Sequence, residues 1–426
     1  MKVLGPGLIT GASDDDPSGI ATYSQAGAQF GLKTLWTALI TFPLMAGIQE
    51  MCARIGLVTT VGLTTTLKKH YPQWLLYLMM LFSIPAIVLN IGADIAGMGA
   101  VGHLIFPSIK PMVFSVAFTV ALFLLIVFLS YEKIVAVLKY LCLSMFLYIA
   151  VPFFTSPNWM QVLKNTFIPT IQFDKDFIEM LVAILGTTIS PYLFFWQVTM
   201  EAEDVQQAKQ LVLARRKLNN RTKEDPDSRE RSFVFRLIKK MQLDVNFGML
   251  LSTLVMFFII LATGTALNPH GIKHIDTVEQ AAKALEPVAG KASYLLFALG
   301  VIGTGLLAIP VLTGSLSYIV AETFGWRASL NKKYWQAKEF YIVISVSLLV
   351  GLLINYIDLS PIKALYYTAI LYGLTSPIII AIVLHIGNNK KIMSTYTNGK
   401  LSNTLGILTL VLMTAAAASL IYFQFV

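Results

Sequence analysis

Three consecutive carboxylates, Asp14, Asp15 and Asp16, precede Pro17, Ser18 and Gly19 inside an apolar stretch, Leu4 to Phe30, that otherwise reads as a membrane helix. A carboxylate at membrane depth is costly and marks a functional position by default. Pro17 removes a backbone donor and disfavours helix at the residue before it, and Gly19 lets the chain turn freely. The pattern predicts a helix broken in mid-membrane with Asp16 at the break. Irregular backbone survives at that depth only inside protein or beside a water-filled cavity. A cation can there meet a carboxylate and freed carbonyl oxygens together. The competing reading puts the acids in a surface loop ahead of the first helix; the apolar run Gly5 to Ala12 argues against it.

A second stretch carries the same kind of interruption. Between Leu181 and Phe194 the apolar run contains Gly186, Thr187, Thr188, Ser190 and Pro191 at mid-span. Alone, Ser190-Pro191 reads as an ordinary kink. It lies five spans after the first break, however, so the two units run in opposite orientation. Paired interrupted spans in corresponding halves are a pointer to a transporter site near the midplane of an inverted repeat. Asp16 to Gly19 and Thr187 to Pro191 are therefore expected to be non-helical and to face each other across a central cavity. Asn90 and Asp94, spaced i, i+4, share one face of the third span, and Asp94 needs a partner or water there. Gln197, seven residues past Ser190, is expected to line the inner path, with Tyr192 on the same route. Glu50 and Arg54 are spaced to pair with each other. Thr313, Ser315, Thr375 and Ser376 read as hydrogen-bonding groups between helices.

The elements that position these residues follow from composition. The 426 residues are 56% hydrophobic and 13% charged, against about 25% charged in a soluble domain, and the mean hydropathy is +0.69. This is an all-α integral membrane protein. A span needs roughly 20 apolar residues, and eleven stretches qualify: 4–30, 34–58, 74–104, 109–130, 133–154, 177–200, 243–266, 291–322, 339–356, 361–387 and 403–425. The first repeat is expected over 1–155 (spans one to five) and the second over 177–387 (spans six to ten), with a hydrophilic loop at 201–242. An eleventh span, 403–425, is appended. The 201–242 connection is rich in Lys and Arg and so belongs in the cytoplasm. Threading outward, Lys68, Lys133, Arg327 and Lys390 all fall inside, with the N-terminus cytoplasmic and the C-terminus external. The net charge of +9 reflects these loops and gives no sign of a nucleic-acid partner. Cys52 and Cys142 lie in apolar segments with no metal or redox spacing. His270 and His274 are spaced i, i+4, but Pro269 and Gly271 argue for a solvated loop. No nucleophile–base constellation appears, so an enzyme is not expected, nor is a cofactor.

Gly5-Pro6-Gly7-Leu8 followed by Asp16-Pro17-Ser18-Gly19 resembles the first helix of the Nramp family of divalent-metal transporters, whose hallmark is Asp-Pro-Gly-Asn. Gln49 through Arg54 to Thr59 resembles its second helix and Asp94-Ile95-Ala96 its third. Gly186 to Tyr192 falls where the family has Met-Pro-His-Asn. The resemblance implies a LeuT-type fold of two inverted five-helix repeats plus an eleventh span, with spans one and six broken. It also implies a metal site at Asp16, Gly19, Thr187 and Ser190, with Asp15 adding a second carboxylate. Here Gly19 stands at the family's Asn and Ser190 at its Met, while Gly97 and Gln197 replace a Glu and a His used in proton transfer. A thioether helps select transition metals, whereas hard oxygen with room for water suits Mg²⁺, which dehydrates reluctantly. The pattern resembles the Nramp-related magnesium transporters. Expected cargo is Mg²⁺, with Mn²⁺ beside it, moved by alternating access in the plasma membrane by a monomer surrounded by lipid bilayer. Proton coupling is not expected. The alternative cargo is a small organic cation or amino acid; a third class is a non-transporting membrane sensor.

Overall fold

The computed structural model describes residues 5–129, 133, 148–219, 226–356 and 360–425. Among these the chain is helical throughout, with no strand. The first span is two helices, α1 (Pro6–Asp14) and α2 (Pro17–Phe30), separated by Asp15 and Asp16. Asp16 takes an extended backbone, φ −71° and ψ 173°, and its side chain accepts the Gly19 N–H as an N-cap. Pro17 sits at the first helical position, where its fixed φ suits the helix and its missing N–H is no loss. The break is thus narrower than expected: Pro17, Ser18 and Gly19 open the second helix rather than extending the gap.

After a turn at Gly31, whose φ of +60° favours glycine, the chain bends by 108° into α3 (Trp36–Thr59). A short α4 (Leu63–His70) leads to α5 (Gln73–Ile105) and α6 (Pro111–Phe128). Most of the fifth predicted span, 133–154, lies outside the described residues, as does Cys142. Each of the other predicted spans falls on a described helix or broken pair. The 156–176 connection holds α7 (Trp159–Phe167). The sixth span repeats the break: α8 (Lys175–Thr188) and α9 (Pro191–Asn219) are separated by Ile189 and Ser190, again with Pro at the start of the second piece.

The 201–242 connection is not a loop over most of its length. α9 continues to Asn219, and α10 (Pro226–Ala266) already starts at Pro226. Its Glu, Ala, Gln, Lys, Leu and Arg are strong helix formers, so charge marks departure from the membrane here without ending the helix. α11 (Ser293–Phe324), α12 (Lys338–Ile354), α13 (Pro361–Asn388) and α14 (Lys400–Phe425) complete the chain.

Among the described residues, seven helices are long and apolar enough to cross a membrane alone. Their burial separates centre from rim: 89% of the apolar window in Lys175–Gln206 is buried, against 22% in Pro111–Phe128 and 28% in Lys400–Phe423. Contacts come in matched pairs across the two halves. The first span packs on the seventh (α1 and α2 on α10), and the sixth on the second (α9 on α3). The third packs on the eighth (α5 on α11), the third on the fourth and the eighth on the ninth. Small residues permit the closest approaches: a Cβ on Gly11 of α1 would run into the Gly248 carbonyl of α10, and one on Gly186 of α8 into the backbone of Ala369 and Gly373 on α13.

The helix α7 carries three faces. Val162 is buried against the protein, while Gln161 and Lys164 face outward with polar groups. Trp159, Met160, Leu163 and Phe167 form an exposed apolar stripe between them. Such a stripe, led by aromatics, suits the boundary between headgroups and acyl chains. In a variant keeping Trp159 as its sole tryptophan, emission should be quenched by lipids labelled near the headgroup. Quenching by aqueous iodide alone would show that this face points into water.

Candidate metal site at the paired breaks

Asp16 is 2% exposed and accepts three hydrogen bonds. Its Oδ1 accepts from Ser18 Oγ at 2.6 Å and from the Gly19 N–H at 2.8 Å, and its Oδ2 accepts from Asn90 Nδ2 of α5 at 2.9 Å. Asn90 Oδ1 in turn lies 3.1 Å from the Thr368 hydroxyl of α13. A buried carboxylate is tolerated when donors satisfy it, and this one is held by its own helix start and by α5, with α13 behind it through Asn90.

The two breaks touch directly instead of facing each other across a cavity, and the second is as narrow as the first, with Thr187 and Thr188 closing α8 and Pro191 opening α9. Ser18 Oγ lies 3.2 Å from Thr187 Oγ1, and Tyr23 OH lies 3.0 Å from Thr188 Oγ1. Tyr192 OH donates to the Ser13 carbonyl at 3.0 Å. The orphan carbonyls of each severed helix end are taken by hydroxyls: Ser190 Oγ donates to Thr187 O at 2.6 Å and Gly186 O at 3.1 Å, and Ser376 of α13 donates to Ile189 O at 3.0 Å. A Cβ on Gly19 would lie 3.5 Å from Thr187 Oγ1 and 3.3 Å from the Tyr23 ring, so position 19 looks straight across to the facing break.

The acidic triplet splits. Asp15 turns from Asp16 toward α10, where Ser252 Oγ lies 3.3 Å from Asp15 Oδ1 and 2.7 Å from Asp14 Oδ2. One hydroxyl proton serves both carboxylates, and Asp14 Oδ1 has no partner. Asp94 is fully buried one turn beyond Asn90, and neither of its oxygens has a hydrogen-bond partner. Gln197 is buried between α1 and α9: Thr10 donates to its Oε1, and its Nε2 donates to Glu201 Oε1 at 3.2 Å. Glu50 and Arg54 do pair, and Gln242 of α10 donates to Glu50 at 2.9 Å. His270 caps a helix end through Ala266 O at 2.9 Å. Among the described residues no three His, Cys, Asp or Glu side chains converge on one point. What the breaks offer a cation is one carboxylate with hydroxyl and carbonyl oxygens. One thioether stands behind them: Thr188 Oγ1 lies 3.7 Å from Met256 Sδ.

Two further contacts close the ends of the first span, and sequence reading passed over both. Asp244 of α10 accepts the Gly7 N–H at 2.7 Å, so α1 is capped from another helix. At the opposite end Gln25 accepts the Ile275 N–H at 2.8 Å and donates to Lys273 O at 3.2 Å, pinning the 272–276 loop. This loop borders a cavity of about 200 Å³ with Asp176, Glu179 and Lys363 in its wall.

Two broken helices meeting around a buried carboxylate in a matched-pair helical bundle define a class: membrane transporters of the inverted-repeat type, not enzymes. Solved structures agree on the fold. Mhp1, a nucleobase-cation-symport-1 family transporter in a closed conformation, aligns over 98% of this chain and 92% of its own with a TM-score of 0.58 at 12% identity. The Eremococcus coleocola manganese transporter aligns over 98% and 85% with a TM-score of 0.72 at 19% identity. The fold is the LeuT type. Residues 7–423 match the family described as natural resistance-associated macrophage protein-like, and the chain belongs to this Nramp family. A relative, the divalent metal cation transporter MntH of Caldanaerobacter subterraneus subsp. tengcongensis, is 23% identical over 414 residues, 96% of this chain and 90% of its own.

The Asp244 cap yields a measurable expectation. Asp244→Ala should destabilise the start of α1 by ~1 kcal/mol, the usual worth of an N-cap. With Cys52 and Cys142 replaced, a cysteine placed by Ser13→Cys should then react faster with a soluble thiol reagent. An unchanged rate would show that the glycine contact with Gly248 holds α1 unaided.

Proposed function

We propose that this chain moves divalent metal cations across the plasma membrane by alternating access, with Mg²⁺ as principal cargo and Mn²⁺ as a second. The observation that carries the reading is Asp16: a buried carboxylate at a helix break, held by the Ser18 hydroxyl, the Gly19 N–H and the Asn90 amide and facing the second break through Ser18 and Thr187. The names of the full-length relatives support a divalent metal as cargo, since MntH is a divalent metal cation transporter and the Eremococcus protein a manganese transporter. The same names favour a metal over an organic cation or amino acid.

In this reading Asp16 binds the ion or its inner waters, Thr187 and Ser190 supply oxygens, and the bare Gly19 leaves room for retained water. Asp15 contributes charge from the Ser252 side. Asn90, Asp94, Tyr192 and Gln197 border the route. Hard oxygen and retained water favour Mg²⁺, whereas the Met position of the family is Ser190. Transport runs without proton coupling, because Gly97 and Gln197 carry no titratable group. The repeats span 1–155 and 177–387, with 403–425 appended, the N-terminus in the cytoplasm and the C-terminus outside.

Three measurements in liposomes test this. Asp16→Ala should abolish uptake of both ions. Ser190→Met combined with Gly19→Asn should weaken Mg²⁺ competition against Mn²⁺ by about tenfold, or ~1.4 kcal/mol, since each change replaces site water with a direct ligand. Unchanged competition in an active double variant would remove the chemical basis for Mg²⁺. Finally, a pH-sensitive dye in the lumen should stay constant during divalent uptake; acidification that requires the ion would overturn the uncoupled mechanism.

A further inference from the structure

We infer that Asn90 is itself a ligand of the transported cation, reached by rotation of its side-chain amide about the Thr368 hydroxyl. The inference rests on the cargo being a divalent ion held at Asp16. An asparagine amide is a near-symmetric object with a donor end and an acceptor end. In the arrangement described, the donor end meets Asp16 Oδ2 at 2.9 Å and the acceptor end meets Thr368 Oγ1 at 3.1 Å. A carboxylate alone attracts the NH2 end.

A cation on Asp16 reverses that preference, because it attracts the oxygen and repels the NH2. Half a turn about the terminal side-chain bond exchanges nitrogen and oxygen with little displacement. Thr368 accommodates either orientation. Its hydroxyl also lies 2.7 Å from the Leu365 carbonyl of its own helix. When its proton turns from Asn90 Oδ1 to the Leu365 carbonyl, the hydroxyl oxygen accepts from the rotated NH2. Every group stays paired in both orientations, which a valine or leucine at 368 would not allow.

The spacing fits a small ion. Neighbouring ligands of an octahedral Mg²⁺, each about 2.1 Å from the metal, lie about 3.0 Å from one another. The end of the Asn90 amide is 2.9 Å from Asp16 Oδ2, so the rotated oxygen takes an adjacent coordination position without helix movement. Asn90 is fully buried, and α5 packs against both α2 and α13. The amide therefore joins the first, third and tenth spans at the site.

Asn90→Cys separates a ligand from a residue that only orients Asp16. Metal binding is measured by calorimetry on purified protein. A thiolate ligand prefers soft ions, so Asn90→Cys should shift the affinity ratio from Mg²⁺ toward Cd²⁺ by about tenfold or more, whereas Asn90→Leu should weaken both ions. Parallel loss of Mg²⁺ and Cd²⁺ in Asn90→Cys would reduce Asn90 to a positioning residue and overturn the inference. Retention of binding by Asp16→Ala would instead strike the cargo site itself. Should the cysteine variant not fold, the wild type decides: with ¹³C-asparagine, an amide carbonyl band should shift in the infrared difference on adding Mg²⁺, and a difference spectrum without an asparagine band rejects the ligand role.

Discussion

A carboxylate inside a membrane is costly without donors, and for Asp16 the structure supplies them by cutting a helix. A continuous first span would commit its backbone N–H groups to the helix ladder and deny Asp16 the Gly19 N–H. Breaking it at Asp15 and Asp16 frees the N–H groups of the new first turn, and Asp16 takes the one from Gly19. The cap is thus also the site. Pro17 enforces the restart, and the exposed carbonyls left on the other side of each gap explain the hydroxyls gathered there: Tyr192, Ser190 and Ser376.

The second break is needed because the first creates a polar spot too large for one helix to satisfy. Two spans severed at the same depth can satisfy each other, and Ser18 with Thr187 and Tyr23 with Thr188 do so. The surrounding helices then need only approach closely, which the glycines at 11, 186 and 248 permit. Bulk lies outside, in rim helices such as α6 and α14 that show most of their surface to lipid.

Much of this was legible in the chain. Asp16 followed by Pro17 marks the first break, though not its length, hydropathy marks the apolar helices, and the interrupted run at Gly186 to Pro191 announces the second break. The family resemblance in the first three spans pointed to the same architecture. Other parts could not be read. Ser252, Asp244 and Thr368 carry no local signal, because the groups they serve lie more than two hundred residues away in the chain. Asp15 reads in the sequence as a second carboxylate beside Asp16, and one residue of displacement turns it toward α10. The 201–242 segment departs from the expected loop because the residues that carry its charge also favour helix.

The polar bonds across the two breaks are not distributed evenly. Ser13 and Thr10 of α1 bond to Tyr192 and Gln197 of α9, while Ser18 and Tyr23 of α2 bond to Thr187 and Thr188 of α8. Half-helices are thereby joined across the gap into two jaws, one on each side of the membrane midplane, with the unwound residues as their common hinge. Neither jaw depends on the other's bonds. Parting the halves of one jaw would break only its own two bonds and leave the other pair intact, and Asp16 stands between them.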